Sequence, residues 1–370
     1  MNKNFIEIKS SQLTFNFGKL NEIFSLTFQR TLRIPDDNKK YQLPPSLGSF
    51  PLLHVEDFSN VPQSWKEHGG IFMPMYQAEA MWMRFSTPSG RPFAVKVASG
   101  KVNAVSGKTW ENNLKDNGKE TADYMVAPKQ PWLDGFNVGK DVIRQFVAVP
   151  LESGYTVEEQ VTGKAEHGGI QIIVYPMKDE YWNRMQQERP RQTRLVASSV
   201  SASGAMSKGL GGAMYMSGGL ESAVYACSAE PQSRSMLRSA KPDMGLGAGG
   251  MMTQQIFEDE FGVDAWDQEN GLRVFVHLAN SDQYEQITGK KPPTAPIGPD
   301  EYHRHNYPWF EYYSDSPATK GSEILSKIDS IASMQNKKGE TILPNDGHKP
   351  KLSNPIIFIS DKKIVDDGTW

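Results

Sequence analysis

The chain has 370 residues, enough for two domains or one large one. With 38% hydrophobic residues and a net charge of −3, it is neither disordered throughout nor charged to attract nucleic acid or an anionic membrane surface. The single cysteine, Cys227, allows no intramolecular disulfide and no thiol cluster for zinc, which points to a reducing compartment and a cytoplasmic location. No apolar run approaches roughly 18 residues, so no membrane span is expected. The opening residues alternate apolar and polar positions and lack the apolar stretch of a signal peptide.

Residues 1–190 read as a β-rich domain. FIEIK, LTFNF and IFSLTFQRTLRI alternate as half-buried strands do. After the turn-rich PDDNKK and LPPSLGSFP, the stretch Asn60 to His68 offers a capping Asn, Pro62 and a Gly-Gly stop, and so predicts a short helix. AMWMRFS and PFAVKVA flank TPSGR, which suits a hairpin connection, and KVNAV follows. VIRQFVAVP, YTVEEQVTG and GGIQIIVYP are β-branched runs between Gly and Pro, spaced as in an antiparallel meander. Lys178 to Arg189 is polar and helix-compatible, and Pro190 stops it.

Residues 191–243 are expected to be a linker or mobile insertion rich in Gly, Ser, Ala and Met, and this composition runs from Val196 as far as Gly250. Residues 244–335 regain aromatic and β-branched density and are expected to pack on the first domain. LRVFVHLA predicts a strand and SDQYEQITG a helix. Ile324, Leu325, Ile328 and Ile331, behind Ser322 as a cap, predict an amphipathic helix docked on a sheet. The tail, 336–370, is polar and broken by Pro344 and Pro350, apart from PIIFIS, which can add a final strand. The fold class expected is α+β, mainly antiparallel sheet, sandwich- or barrel-like, with a few short helices.

Several long phrases carry a resemblance. They are RTLRIPDDNKKYQLPPSLGSFPL, HGGIFMPMYQAEAMW, APKQPWLDG, VIRQFVAVPLESGYTVEEQVTG, MGLGAGGMMTQQIFEDEFGVDAWD, RVFVHLANS, ITGKKPP and PWFEYY. Together they resemble a family of uncharacterised conserved bacterial proteins over residues 29–176 and 243–335. The resemblance supports the boundaries above and implies no activity, cofactor or catalytic residue.

Short motifs need structural context before they mean chemistry. GGAMYMSGGLESAVYAC, at 211–227, resembles the pyrophosphate loop of adenylating enzymes, with Ser217, Gly218, Gly219 and Ser222 as nucleotide-binding candidates. Glu221 stands where that pattern has Asp, and Pro231 ends the following helix. GLGAGG, at 245–250, matches a dinucleotide fingerprint literally, but no strand is predicted before it, and it reads as a close-packed or flexible turn. SGKTW, at 106–110, follows Gly100 at the wrong spacing for a phosphate loop and reads as a surface hairpin. His303 and His305 lack a third metal ligand, and Glu258, Asp259, Glu260, Asp264 and Asp267 lack calcium-loop spacing, so no metal is implied.

Trp132, Trp309, Phe310, Tyr312 and Tyr313 stand in turn-like contexts where rings plug a sheet edge or present a stacking surface. Arg144 and Gln145 interrupt an apolar strand, as Glu158 and Glu159 do its neighbour. If the two strands form a hairpin across PLESG, Arg144 faces a carboxylate, as a structural ion pair or as the floor of a polar pocket near Trp132 and Asp134. The ligand or interface candidates are therefore Trp132, Asp134, Arg144, Trp309, Phe310 and Tyr312. No complete catalytic constellation is present, so the first expectation is a cytosolic, non-catalytic binding or self-assembling protein. It would need no cofactor, and its partner would be another protein or a second copy. A nucleotide-dependent enzyme using residues 217–222 is one alternative; a small-ligand or carbohydrate binder using Trp132 and Trp309 is the other.

Overall fold

The structure, a computed structural model, describes residues 4–18, 22–115, 122–188, 243–296, 298, 304, 308–314, 316–340 and 356–360. The chain divides into two compact units, residues 1–182 with 240–370, and residues 183–239. Everything below concerns the first, apart from the last residues of one helix.

The strands in chain order begin with β1 (Phe5–Lys9), β2 (Gln12–Asn16), β3 (Ile23–Thr31), β4 (Lys40–Tyr41), β5 (Leu53–His54) and β6 (Ile71–Pro74). They continue as β7 (Ala80–Ser86), β8 (Phe93–Ser99), β9 (Val102–Asn103), β10 (Met125–Ala127), β11 (Trp132–Leu133) and β12 (Gly135–Gly139). The last six are β13 (Val142–Pro150), β14 (Ile170–Pro176), β15 (Asp243–Thr253), β16 (Leu272–Ala279), β17 (Trp309–Tyr313) and β18 (Ile356–Ser360). Five short helices accompany them among the described residues: α1 (Gln63–His68), α2 (Val157–Thr162), α3 (Asp179–Glu188), α4 (Ser281–Thr288) and α5 (Ile331–Lys338). The fold is α+β and mostly one antiparallel sheet.

The main path of the sheet runs β1-β2-β3-β7-β13-β15-β16-β14-β8-β10. Its two ends do not pair, so the sheet is not closed into a barrel. Alternate residues of the strands face a shared core: Leu13 and Phe15, Phe24 and Leu26, Met81 and Met83, Phe146 and Ala148, Leu246 and Ala248, Val274 and Val276, Ile170 and Ile172, Phe93 and Val95. Phe24 of β3 lies 5.8 Å from Phe93 of β8, although these strands stand on opposite wings of the order. The sheet therefore curls back until its wings face each other, as in a sandwich. Strands from both sides of residues 191–243 alternate within it: β15 lies between β13 and β16, and β16 pairs with β14. The two sequence-dense parts thus share one core.

Several local expectations change. YTVEEQVTG is a helix, not a strand: Thr156 accepts the Glu159 N–H, the Glu159 side chain returns to the Thr156 backbone, and Gly163 closes the turn in the left-handed region. This reciprocal cap outweighs the β-branched content of the run. The strands β7 and β8 are joined by the turn at 87–90 but do not pair, since β7 goes to β3 and β13 and β8 to β14. Likewise β13 and β14 do not pair with each other; each lies between a strand of the first part of the chain and one of the second. The segment from Ser322 is two pieces. Ser322 Oγ accepts the Leu325 N–H to cap a single 3₁₀ turn, and Ser330 starts α5 afresh. SGKTW is only partly at the surface: Thr109 is exposed and bridges back to Val102, but Ser106 and Gly107 are buried, Asn103 Oδ1 gathers the N–H groups of Val105 and Ser106, and a Cβ on Gly107 would meet Ser322, Ile324 and Leu325. Pro62, not Asn60, precedes the first helical residue of α1. PIIFIS is β18, paired in parallel with β17.

GLGAGG is the middle of β15 and not a turn. Glycine alternates with apolar side chains there: Leu246 and Ala248 point into the core, while Gly245, Gly247 and Gly249 leave the outer face bare. A Cβ on Gly247 would stand 2.9 Å from the Tyr155 carbonyl oxygen and 3.2 Å from Ile331; one on Gly245 would stand 2.9 Å from Thr156. The bare stripe lets the start of α2 and the start of α5 seat directly on the strand backbone. Because glycine is depleted in strands, the sequence disguises this element.

A polar candidate site around Arg144

Two irregularities on neighbouring strands build the site. Along the β13–β15 ladder the partner of Arg144 is Met251 and that of Phe146 is Ala248, so Gly249 and Gly250 together oppose the single residue Gln145. This is a β-bulge, a device that re-aims side chains and frees a backbone group. Gln145 is fully buried, donating from Nε2 to the Leu32 carbonyl at 2.8 Å and accepting the Ile34 N–H at 2.8 Å. It thereby fixes the chain leaving β3, which continues through Pro35 to Asp36.

Arg144 points to the other face. Its Nη1 donates to the Gly249 carbonyl at 3.1 Å and lies 3.4 Å from Asp36 Oδ1. Asp36 Oδ2 accepts the Ala332 N–H, at the first turn of α5, at 3.1 Å. Its carboxylate thus joins the guanidinium to the positive end of that helix, a placement that favours negative charge. On the far wall, Asp329 accepts from Lys337 Nζ at 2.7 Å and from Ser333 Oγ at 3.0 Å. The Lys337 hydrogen bond is the main reason its carboxyl lies below the usual aspartate range. Gln160 of α2 holds the Asp329 backbone from both sides, Nε2 to carbonyl at 3.1 Å and N–H to Oε1 at 2.8 Å.

Between these walls is a cleft of about 200 Å³ lined by Asp36, Asn38, Arg144, Ser330, Ser333 and Asn336, with Ile328, Asp329 and Ala332 beside them. Both hydrogen bonds of Arg144 use Nη1, so Nε and Nη2 have no protein acceptor among the described residues. The two hydroxyls are engaged elsewhere, Ser330 Oγ with the Ser333 N–H and Ser333 Oγ with Asp329. The cleft therefore offers unspent guanidinium donors and carboxylate and amide acceptors, with charges paired locally: Arg144 with Asp36, and Lys337 with Asp329.

The other candidates fall elsewhere. Arg144 does not meet Glu158 or Glu159 across a hairpin, because those residues are on α2. Glu158 accepts the N–H groups of Lys101, His167 and Gly168, and Glu159 completes the helix cap. Asp134 is fully enclosed, bonded reciprocally to the Gln254 side chain, and burial pushes its carboxyl up to about 7 despite that hydrogen bond. It does not line the cleft. Trp309 is buried against Leu43, Ile143 and Met252, with Phe310 and Trp132 at the edge of the same cluster. Trp132 and Tyr312 pack edge to face at 5.2 Å, and Phe257 meets Tyr312 at 5.9 Å. These aromatics pack edge to face beside β17. In the acidic group, Asp259 is a structural anchor accepting from Tyr124 and Trp266, and no cluster of metal-binding side chains occurs among the described residues. Ser217, Gly218, Gly219, Ser222, Cys227, His303 and His305 lie outside the described residues.

Sequence reasoning found Arg144 because a charge interrupts an apolar strand. It missed Asp36 in the turn-rich PDDNKK, and it missed Ser330 and Ser333 because the isoleucine spacing suggested a helix already under way; the available signal was the Asp329-Ser330 pair before Ile331. Compared with known proteins, the chain matches no family model, no curated protein and no solved structure.

Proposed function

We propose that the protein is a cytoplasmic, non-catalytic binding protein that holds a small, overall neutral, hydroxyl-rich ligand, of the size of a polyol or a single sugar ring, in the Arg144 cleft. The observation that carries this reading is the guanidinium of Arg144, held in place through Nη1 alone and presenting its other donors to a polar cleft. Unspent, preorganised donors beside carboxylate and amide acceptors match a ligand that both gives and takes hydrogen bonds. Local charge pairing favours a neutral ligand over an anion. The volume lies below the roughly 300–1,000 Å³ of drug-sized sites, which sets the size. The test is thermal unfolding against a panel of polyols, monosaccharides, amino acids and carboxylates. A neutral hydroxyl-rich member should raise the midpoint in a concentration-dependent way in the native protein and not in Arg144→Met. If only carboxylates stabilise, or Arg144→Met responds equally, the reading fails.

Self-association is the second reading, supported by β18, whose Ile356 and Ile357 are 37% and 41% exposed on a strand with one partner among the described residues. A second copy pairing along this edge should give a dimer by light scattering that Ile357→Lys converts to monomer. A monomer in the native protein removes this reading.

A further inference from the structure

Three of the seven histidines meet at one place, at the C-terminal end of α1. His68 is the last residue of α1, His167 lies in the loop before β14, and His277 is on β16. The His68 ring contacts His167 edge-on at 5.3 Å and His277 at 6.2 Å, with Phe275 packed against both His68 and His277 at 5.3 and 4.6 Å. His277 Nε2 lies 3.0 Å from the carbonyl oxygen of Gly69, the residue that closes α1, and its ring stacks on Trp65 at 4.6 Å. A carbonyl only accepts, so Nε2 carries the hydrogen and an added proton must go to Nδ1. His167 Nδ1 is buried without a hydrogen-bond partner among the described residues.

We infer that His167 and His277, each packed against His68 at the end of α1, are an acid-operated latch: neutral, they hold α1 on the sheet; protonated, they release it. The latch works through local crowding of like charge. Titratable neighbours of His167 are Lys101, His68 and Glu166, and Glu158 accepts its backbone N–H; the titratable neighbour of His277 is His68. Charging two of the rings places cations about 5–6 Å apart in a half-buried site that already holds Lys101, with Glu166 as the opposing carboxylate. Burial, the dominant cause, holds His277 down at about 4 and also lowers His167, so packing disfavours the charged form of both rings and exposure favours proton uptake. The sign follows from that: the open form binds more protons, so acid favours opening. Release of α1 lifts Trp65 off Phe72, Tyr284 and Ile287 and uncovers an apolar patch on β6 and α4.

Hydrogen–deuterium exchange of the full chain, corrected for intrinsic rates, tests this. With His277 at about 4 packed and 6.5 free, opening at residues 63–71 should rise about thirtyfold between pH 8 and pH 5, while β3 and β13 keep their protection. His277→Gln, which retains a donor for the Gly69 carbonyl, should abolish most of that rise. His68→Gln, on an exposed ring, should move the midpoint to lower pH and serves if His277→Gln does not fold. Equal protection of 63–71 at the two pH values overturns the latch, as does an unchanged rise in either variant.

Discussion

On the outer face of β8 and β14, Lys96 is 1% exposed beneath a lid of aromatic rings, with Tyr175, Tyr124 and Trp266 in the same cluster and Trp110 5.4 Å from its ammonium. Its Nζ donates to Asp123 at 2.7 Å and to the Asn113 carbonyl at 2.8 Å, and burial lowers its basicity. On the outer face of β13 and β15, glycines keep the surface bare, two short helices settle on the backbone, and a cleft remains beside Arg144. Both faces contain a cation on a strand paired with an aspartate. In the first, large rings pack on the face and the ammonium meets two acceptors and an indole. In the second, small residues leave space and the guanidinium keeps donors in hand. A buried charge pair is thus structural when its hydrogen bonds are complete, and a candidate for binding when they are not.

The comparison breaks most visibly at Gly250. A Cβ there would stand 2.4 Å from the Pro35 carbonyl oxygen and 2.9 Å from that of Ile34, both backbone atoms that lead to Asp36. Gly250→Val should cost more than about 4 kcal/mol in denaturant unfolding, whereas a residue changed on a tolerant surface costs a few tenths. Next comes Lys96→Ala, which leaves Asp123 as an uncompensated buried carboxylate and should cost roughly 3–5 kcal/mol; substituting both partners with apolar residues should recover part of that loss. Both are read from urea midpoints at constant slope.

Asp134 gives a third, smaller effect with a definite sign. Its carboxyl is held up at about 7 in the folded chain against an ordinary 3.8, so the folded state binds the extra proton and stability falls as pH rises from about 4 to 7. Asp134→Asn, which still accepts from Gln254, should remove that slope and raise stability at pH 8 by about 2 kcal/mol. A slope unchanged in the variant would show that another group causes it. The smallest expected effect is Arg144→Met, about 1 kcal/mol or less, because Asp36 retains the Ala332 N–H. A loss as large as that of Lys96→Ala would erase the distinction between the two faces.

Much of the fold is legible in the residues. The alternation of LTFNF and LRVFVHLA fixes β2 and β16, and Asn280 before SDQYEQIT caps α4 as its type predicts. Strand order is not legible, since β13 meets β15 about a hundred residues later and no local pattern names the partner. YTVEEQVTG misleads because Val157 and Val161 suit a strand while Thr156 and Glu159 close a helix cap, and the cap decides. The site is half legible for the same reason: Arg144 stands out in its strand, but Asp36 reaches it only through Gln145 and the glycine bulge, contacts that exist once the sheet has formed.

The most direct test is the Nε–Hε resonance of Arg144 in ¹⁵N-labelled protein, assigned by its absence in Arg144→Met and followed during titration with the polyol and monosaccharide panel. At least one neutral hydroxyl-rich compound should shift it saturably while the corresponding signal of Arg91, whose side chain is enclosed with Glu22 and Asp179, stays still. A resonance that no member of the panel moves, or one that moves together with Arg91, would contradict a ligand site at this cleft.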